Sequence, residues 1–219
     1  NLQAYIDALN LVPCSIATPK ITKFDQCDAK LSKQFIQVQN GCNHNCAYCI
    51  TQQLRGPAVS FDYSEILADA RRATENGFYE IVITGVDIAS YARDGMLISD
   101  VCAALLHDVP EIQRLRLSSM DPASPEIFKI INMMHNDARM MPHLHLSMQS
   151  GSDTILNAMH RRHNSETVRR IRAAAGDDIT FSWDIICGFP GETDELFDET
   201  MHLEFVQTGL DSAWPHTLL

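Results

Sequence analysis

Three cysteines, Cys42, Cys46 and Cys49, lie within eight residues in the spacing C-x3-C-x2-C. Thiolates at this spacing allow one loop to wrap around a single soft metal centre. A closed structural zinc site uses four protein ligands, whereas an iron–sulfur cubane held by three cysteines leaves one iron open to another molecule. The spacing therefore favours an iron–sulfur cluster, and a zinc ion completed by His44 or by a distant residue is the alternative.

The composition is that of an ordinary globular chain. Its 219 residues suffice for one sizeable domain, with 45% hydrophobic and 21% charged residues. The net charge of −11 argues against a generic basic platform for nucleic acid. Neither a run of 18 apolar residues nor a secretory signal is visible, so no membrane span is expected. The total of seven cysteines is odd and four are scattered, which favours a cytosolic metal site over disulfides.

Strand-like and helix-like patterns alternate from residue 34 onwards. Strands are predicted over 35–39, 80–84, 115–118, 143–148, 180–186 and, more weakly, 212–216. Helices are predicted from Ser64 to a stop at Gly77, and over 98–107, 125–134, 152–159, 166–175 and 194–207. A short helix is also predicted over 2–9, within a lead-in segment. This alternation predicts a parallel sheet with right-handed crossovers, either doubly wound or as a partial barrel.

Glycine-rich or polar segments follow each of the first five predicted strands. The cysteine loop follows the first, and the others are 84–87, 118–122, 149–151 and 188–193. In both architectures, ligand-binding residues gather at the carboxyl ends of the strands. We therefore expect these segments to surround one bound ligand at a common edge of the sheet.

These motifs, in this order, resemble the methylthiotransferases of the radical S-adenosylmethionine (SAM) superfamily. The motifs are Gln39-Asn40-Gly41-Cys42, Arg55-Gly56, Glu80-Ile81-Val82-Ile83-Thr84-Gly85, His143-Leu144-His145-Leu146, Gln149-Ser150-Gly151-Ser152-Asp153 and Gly188-Phe189-Pro190-Gly191-Glu192-Thr193. Leu115-Arg116-Leu117-Ser118-Ser119-Met120-Asp121-Pro122 most resembles the branch that acts on tRNA carrying N6-threonylcarbamoyladenosine beside the anticodon. The resemblance covers residues 34–210.

The resemblance implies an α/β fold, a partial (β/α)6 TIM-like barrel of parallel strands with outer helices. It implies an enzyme that adds a methylthio group to C2 of the modified adenine by a 5′-deoxyadenosyl radical mechanism. The cofactors it implies are SAM and a [4Fe–4S] cluster. Another tRNA adenosine or a ribosomal protein remains open as the substrate. From another class, a zinc-stabilised RNA-binding module that uses the three cysteines and His44 remains the alternative.

The resemblance places the core domain at residues 34–219, and it also implies further domains on either side of this core. Residues 1–33 resemble the tail of an N-terminal domain that holds a second [4Fe–4S] cluster, and a C-terminal RNA-binding β domain has no counterpart. We therefore expect this chain to cleave SAM without completing methylthiolation. Expected partners are the anticodon loop of tRNA and an electron donor. We expect a cytoplasmic monomer with no membrane contact.

The resemblance assigns the three cysteines to the cluster and ten residues to SAM. The ten are Tyr48, Thr84, Gly85, Asp87, Ser119, Gln149, Ser150, Asp184, Gly188 and Glu192. Tyr48 matches the aromatic residue that packs on the adenine, although a plain core tyrosine has the same pattern. Asp87 would meet the methionine ammonium or cap a turn. Gln149 and Ser150 would contact the ribose and the methionine carboxylate, or serve the turn at Gly151.

Three arginines are candidates for contacts with anions. Arg55 could bind the cofactor carboxylate or an RNA phosphate, because a guanidinium suits both. Arg161 and Arg162 belong to a basic cluster that would help to hold the anticodon loop, and a solvated helix face is the alternative. His44 is expected to be a solvated loop residue.

Overall fold

A computed structural model describes residues 32–203 of the chain. Five parallel strands form its centre, and they are β1 (Gln34–Gln37), β4 (Glu80–Thr84), β7 (Arg114–Leu117), β8 (His143–Gln149) and β9 (Thr180–Ile185). Two antiparallel ribbons complete the strands, formed by β2 (Gln39–Asn40) with β3 (Val59–Ser60) and by β5 (Ala92–Arg93) with β6 (Met96–Leu97). The predicted helix over 2–9 and the predicted strand over 212–216 lie outside the described residues.

The parallel strands lie side by side in the order of the sequence. β1, β4 and β7 form one hydrogen-bonded sheet and β8 pairs with β9. Parallel bridges from Leu115 to Met140 and from Met120 to Leu146 join the two groups. A doubly wound sheet reverses its strand order at a switch point, whereas a barrel does not. The described strands therefore confirm the predicted partial barrel.

Helices follow the parallel strands and form the outer layer. They are α1 (Thr51–Arg55), α2 (Tyr63–Glu75), α3 (Ile98–Asp108), α4 (Glu126–Asn136), α5 (Asp153–Ala158), α6 (Ser165–Ala175) and α7 (Asp194–Met201), with a 3-10 turn at Ile88–Ser90. In α4, Ile127, Ile130, Ile131 and Met134 are buried at the i, i+3, i+4, i+7 spacing of an amphipathic helix. Among residues 32–203, no helix combines the length and apolarity needed to cross a membrane.

The two faces of the sheet differ in chemistry. Ile83 of β4 and Leu115 of β7 lie in the same buried cluster as Ile66 of α2 and Leu105 of α3. The opposite face of β7 and β8 is only partly buried and carries polar side chains, which are Arg116, His143, His145 and Ser147. Alternation of side chains along each strand thus separates an apolar helix-facing side from a polar interior.

Most predicted elements are confirmed to within one or two residues, but some features were missed or misjudged. The cysteine loop leads into α1, a short helix without a buried residue and therefore without an apolar stripe. The β5–β6 hairpin turns at Asp94 and Gly95, both with positive φ, and Asp-Gly is a known hairpin signal. The helix predicted over 194–207 ends at Met201, and positions 204–207 of the prediction lie outside the described residues.

Replacement of Leu115 by alanine tests the apolar core beneath β7. Leu115 is 0% exposed, so Leu115→Ala should lower the free energy of unfolding by about 2–5 kcal/mol in urea denaturation. The same substitution at Leu97, which is 37% exposed, should cost less than about 1 kcal/mol. Equal losses at the two positions would contradict the packing described here.

Candidate active site

A cavity of about 200 Å3 lies where the cysteine loop meets the carboxyl ends of the strands. All three cysteines of the motif line it. Asp87 after β4, Ser119 after β7 and Gln149 at the end of β8 contribute to the same wall. Parallel strands that share one direction bring these sequence-distant segments to one edge, as the sequence pattern predicts.

Main-chain hydrogen bonds fasten the cysteine loop at both ends. The Cys42 amide donates to the Gly56 carbonyl at 3.2 Å, and the Ala47 amide donates to the Met159 carbonyl at 3.0 Å. Gly41 has a φ of 71°, and a Cβ at this position would collide with the Pro57 carbonyl. Glycine is therefore required here for both its backbone conformation and the close approach of Pro57.

Each of the three free thiols of the motif accepts one N–H hydrogen bond. The donors to Cys42 and Cys49 are local amides, those of His44 at 3.3 Å and Thr51 at 3.5 Å. The donor to Cys46 is the guanidinium of Arg161, 115 residues away, at 3.5 Å. N–H donors stabilise sulfur that carries negative charge, which is the form that binds metal.

The surroundings of the Cys42 thiol disfavour its ionised form. Burial raises the pKa of Cys42, the His44 amide opposes this rise, and the negative charge of Asp87 adds to it. The net direction is upward, so the protein alone does not hold this sulfur as a thiolate. A bound cation would remove the penalty, because a coordinated thiol is deprotonated outright.

Asp121 is the charge centre beside the cysteines. Its carboxylate is only 6% exposed and accepts hydrogen bonds from Nη2 of Arg161 at 3.3 Å and Nη2 of Arg162 at 2.7 Å. Burial alone would raise its pKa, but the charge of Arg161 and the hydrogen bond from Arg162 outweigh burial, so the pKa of Asp121 is lowered. This carboxylate is therefore ionised at neutral pH.

Sequence reasoning missed Asp121 as a site residue, although a signal was present. Asp121 directly follows a predicted strand end, as Asp87 does, and it lies within a segment used for the resemblance. Its neighbour His163 was also missed. Burial and the charge of Arg161 lower the pKa of His163 to about 4, which leaves this imidazole neutral beside the two arginines.

His44 is not the solvated loop residue that was expected. Its side chain is 15% exposed, and its Nε2 lies 2.7 Å from Oδ2 of Asp87 and 2.8 Å from Nη2 of Arg162. The expectation was wrong because both neighbours are remote in sequence. Cys42, His44 and Asp87 also present ligand atoms within 4.8 Å of one another, which gives three of the four donors of a closed zinc site.

Arg161 lies in the wall of the cavity beside the cysteines. Its side chain is 6% exposed, and Nη2 donates to the Ser147 carbonyl at 2.8 Å. Its Nε is buried without a hydrogen-bond partner among residues 32–203. The Arg161 side chain lines the cavity, and its positive charge suits an anionic ligand there.

Other residues predicted to bind the cofactor have structural partners. Ser150 is buried, and its hydroxyl lies 3.1 Å from Oγ1 of Thr200, which joins the end of β8 to α7. A Cβ on Gly85 would lie 2.9 Å from the Gln39 carbonyl oxygen, so Gly85 allows two protein segments to approach. These contacts favour turn chemistry for Ser150 and packing for Gly85.

Three more residues that were predicted to bind the cofactor, Glu192, Asp184 and Thr84, form contacts within the protein. Oε2 of Glu192 accepts from the Gly188 amide at 2.5 Å, which closes the glycine loop on itself. Asp184 pairs with His145 at 3.0 Å on the polar interior face. The Thr84 carbonyl accepts from the Val38 amide at 2.9 Å.

Two further predicted site residues differ from the rest: Gln149 has an unusual backbone conformation, and the side chain of Arg55 is exposed. Gln149 has a φ of 72° at an irregular point of β8, and non-glycine residues held in this region mark functional sites more often than chance. Arg55 ends α1 with an exposed side chain, and its Nη1 lies 3.5 Å from Oδ1 of Asn40. Gln149 and Tyr48 both line the cavity beside the three cysteines.

The sequence was compared with known families and proteins. The model of the Radical SAM superfamily matches residues 36–203. The threonylcarbamoyladenosine tRNA methylthiotransferase MtaB of Rickettsia prowazekii is 42% identical over 181 residues, which cover 78% of this chain and 42% of that protein. A tRNA-2-methylthio-N(6)-dimethylallyladenosine synthase of Cereibacter sphaeroides is 38% identical over 173 residues, covering 77% and 39%. The chain thus spans about two fifths of the length of these relatives.

Solved structures show the same fold at low sequence identity. The radical S-adenosylmethionine methyltransferase TsrM from Kitasatospora setae, with tryptophan and aza-SAM bound, gives a TM-score of 0.66 at 15% identity. The match covers 80% of this chain and 34% of that one. A second TsrM structure, with cobalamin and a [4Fe-4S] cluster bound, gives a TM-score of 0.65 at 16% identity.

Replacement of Asp121 by asparagine tests the buried charge centre. Asp121→Asn leaves Arg161 buried with weaker compensation, which should lower the free energy of unfolding by about 3 kcal/mol at pH 7. Because the folded pKa lies below the unfolded value of about 3.9, this stabilisation is complete above that pH and is lost as the pH falls through the folded pKa. Urea denaturation from pH 7 to pH 3 measures the effect.

Asp177 supplies a matched control, since its side chain is fully exposed. Asp177→Asn should leave the free energy of unfolding nearly unchanged at every pH. A difference between the wild type and Asp121→Asn that stays constant down to pH 3 would refute the ionised, buried carboxylate.

Proposed function

The chain belongs to the radical SAM superfamily, and on that premise we propose that it is the catalytic core of a tRNA methylthiotransferase. The observation that carries this proposal is the joint placement of three free cysteines and a buried, partly unpaired arginine around one cavity. The three cysteines would hold a [4Fe–4S] cluster at this cavity, and SAM would bind beside the cluster. When bound, the reduced cluster supplies the electron for reductive cleavage of SAM.

The residues of the cavity fit a cluster that is held on three sides. Cys42, Cys46 and Cys49 offer three sulfurs, and each already accepts an N–H hydrogen bond that would offset the negative charge of a coordinated thiolate. A fourth cysteine is absent from the described lining of this cavity. Three protein ligands leave one coordination position for a small molecule.

The polar groups around the cysteines fit an amino-acid ligand with separate charges. Arg161 would bind a carboxylate through its guanidinium, and Asp121 holds this guanidinium in place. Asp87 is buried in the wall of the same cavity and would accept from an ammonium group. Ser119 and Gln149 would contact the ribose, and Tyr48 would cover the adenine.

These side chains also control access of water to the cavity. Asp87, Asp121 and Gln149 are buried, so the bound cofactor would be surrounded by fixed protein dipoles in place of mobile solvent. This protects a reactive species from side reactions. The partly exposed ring of Tyr48 forms the boundary with solvent.

The finer substrate assignment is N6-threonylcarbamoyladenosine beside the tRNA anticodon. It is supported by the 42% identity to the Rickettsia relative, compared with 38% for the Cereibacter relative whose name specifies dimethylallyladenosine. We propose the anticodon loop and a one-electron donor as partners, and a second cluster as the sulfur source outside the core. This chain alone would cleave SAM without forming the methylthio product.

Substitution of Cys46 by alanine tests the cluster. After anaerobic reconstitution, the wild-type chain should be brown, contain about four iron and four sulfide per chain, and release 5′-deoxyadenosine from SAM when reduced. Cys46→Ala should lose the colour and the deoxyadenosine product. Iron and sulfide analysis and chromatography of the nucleoside provide the measurements.

Cys102 provides the matched control, because its thiol is buried in α3 outside the cavity. Cys102→Ala should retain the iron content and the release of 5′-deoxyadenosine. A colourless wild type that binds one zinc per chain would instead favour the zinc-stabilised module. Unchanged SAM cleavage by Cys46→Ala would refute the role of this cysteine.

Substitution of Arg161 by glutamine tests the carboxylate contact. Hydrogen bonds to charged groups contribute about 1.5–3 kcal/mol, so Arg161→Gln should weaken SAM binding about 10- to 100-fold. Equilibrium dialysis with the reconstituted protein measures this affinity, and iron analysis shows whether the cluster is retained. Arg169→Gln, an exposed arginine of α6, should bind SAM like the wild type. If Arg161→Gln leaves the affinity for SAM unchanged, another residue must bind the carboxylate of SAM.

A further inference from the structure

A second cavity, of about 480 Å3, adjoins the first on the other side of the cysteine loop. The two cavities share four lining residues, which are His44, Cys46, Asp121 and Arg161. The remaining lining residues of the second cavity are Asn43, Asn45, Ser90, His160 and Arg162. A ligand in the second cavity would therefore lie directly beside a cofactor held in the first.

The side chains around the second cavity end in groups that form hydrogen bonds. Its described lining contains no leucine, isoleucine, valine, methionine or aromatic carbocycle. The charged groups are two arginines and one aspartate, which gives a local positive excess in a chain of net charge −11. An apolar ligand would leave these polar groups unpaired, whereas a polar anion would satisfy them.

Arg162 has donors available for such an anion. Its side chain is 53% exposed, and its contacts with Asp121 and His44 both use Nη2. Within the described part of the chain, Nε and Nη1 have no recorded partner. Each of these nitrogens can donate a hydrogen bond to an anionic oxygen, because a guanidinium carries five N–H donors and keeps its charge. Asp121 anchors the guanidinium through Nη2 and leaves the N–H groups of Nε and Nη1 for other acceptors.

His160 and Asn43 are also oriented for ligand contacts. Nδ1 of His160 lies 3.1 Å from the Asn45 carbonyl and must donate to it, which leaves Nε2 as an acceptor in the neutral ring. His160 has a φ of 59°, an uncommon conformation for a non-glycine residue. Oδ1 of Asn43 accepts from the Ala58 amide at 3.0 Å, which leaves its Nδ2 as a donor.

We propose that the second cavity is a specificity pocket for the N6 substituent of the substrate adenosine, with Arg162 as the residue that binds a carboxylate on that substituent. This inference rests on the proposed function. A threonylcarbamoyl group carries a carboxylate for Arg162, a hydroxyl that can donate to Nε2 of His160, and a carbonyl for Nδ2 of Asn43. A dimethylallyl group has none of these, and a site built from polar groups rejects a ligand that leaves them unpaired.

Nucleoside binding to the reconstituted chain tests this pocket. The probes are N6-threonylcarbamoyladenosine, its carboxyl methyl ester, N6-dimethylallyladenosine and adenosine 5′-monophosphate. Because an anionic acceptor strengthens a hydrogen bond, the free acid should bind at least about tenfold more tightly than the ester. Arg162→Gln should bring the acid-to-ester ratio close to one. Arg169→Gln, which removes an exposed arginine elsewhere, should keep the wild-type ratio. Ligand-observed NMR titration covers the affinities expected for nucleosides.

Several outcomes would overturn the pocket. An acid-to-ester ratio near one in the wild type, or a high ratio retained in Arg162→Gln, rules out carboxylate recognition by this residue. Failure of the free acid to bind saturably rejects the pocket as well. If adenosine 5′-monophosphate binds as tightly as the free acid and loses affinity in Arg162→Gln, the site recognises a phosphate of the RNA instead.

Iron content and 5′-deoxyadenosine release are measured on the same preparations. A wild-type chain that cleaves SAM but does not distinguish acid from ester would reject the pocket and leave the proposed function standing. A wild-type chain without cluster or SAM cleavage would reject the proposed function itself.

Discussion

The buried carboxylate of Asp121 is the interaction on which the rest of the site depends. One anion fixes two guanidiniums that have different tasks, with Arg161 directed to the cysteines and Arg162 to the neighbouring cavity. An unpaired charge at this depth would cost several kcal/mol, so the three side chains stabilise one another only as a group. Through Arg162, the same carboxylate also fixes His44 and thereby the cysteine loop.

The order of the strands explains why these groups meet. Each parallel strand lies beside the next one in the sequence, so the loops after β1, β4, β7 and β8 follow one another around a curved edge. A reversal of strand order would have placed some of these loops on opposite sides of a switch point. The apolar helix-facing side of each strand holds this arrangement, and the polar interior side remains available for ligands.

The two adjoining cavities divide the proposed reaction between them. The first has the cysteines and the buried groups that would hold a metal cluster and a charged amino-acid cofactor. The second has partly exposed donors that would select the substrate. Cys46 lies in the wall between the cavities, and it is the thiol whose N–H donor is a distant arginine rather than a local amide.

The sequence by itself determined the parallel α/β class, nearly all element positions and the three-cysteine motif, because periodicity and thiol spacing are local properties. It also indicated that the strand ends would converge. Only the tertiary structure decided the surroundings of His44, Asp121 and Arg161, since their partners lie far away in the chain and their burial cannot be read from local pattern. The same holds for Ser150 and Gly85, whose polar or small side chains suit a ligand and a packing contact equally well until the neighbours are known.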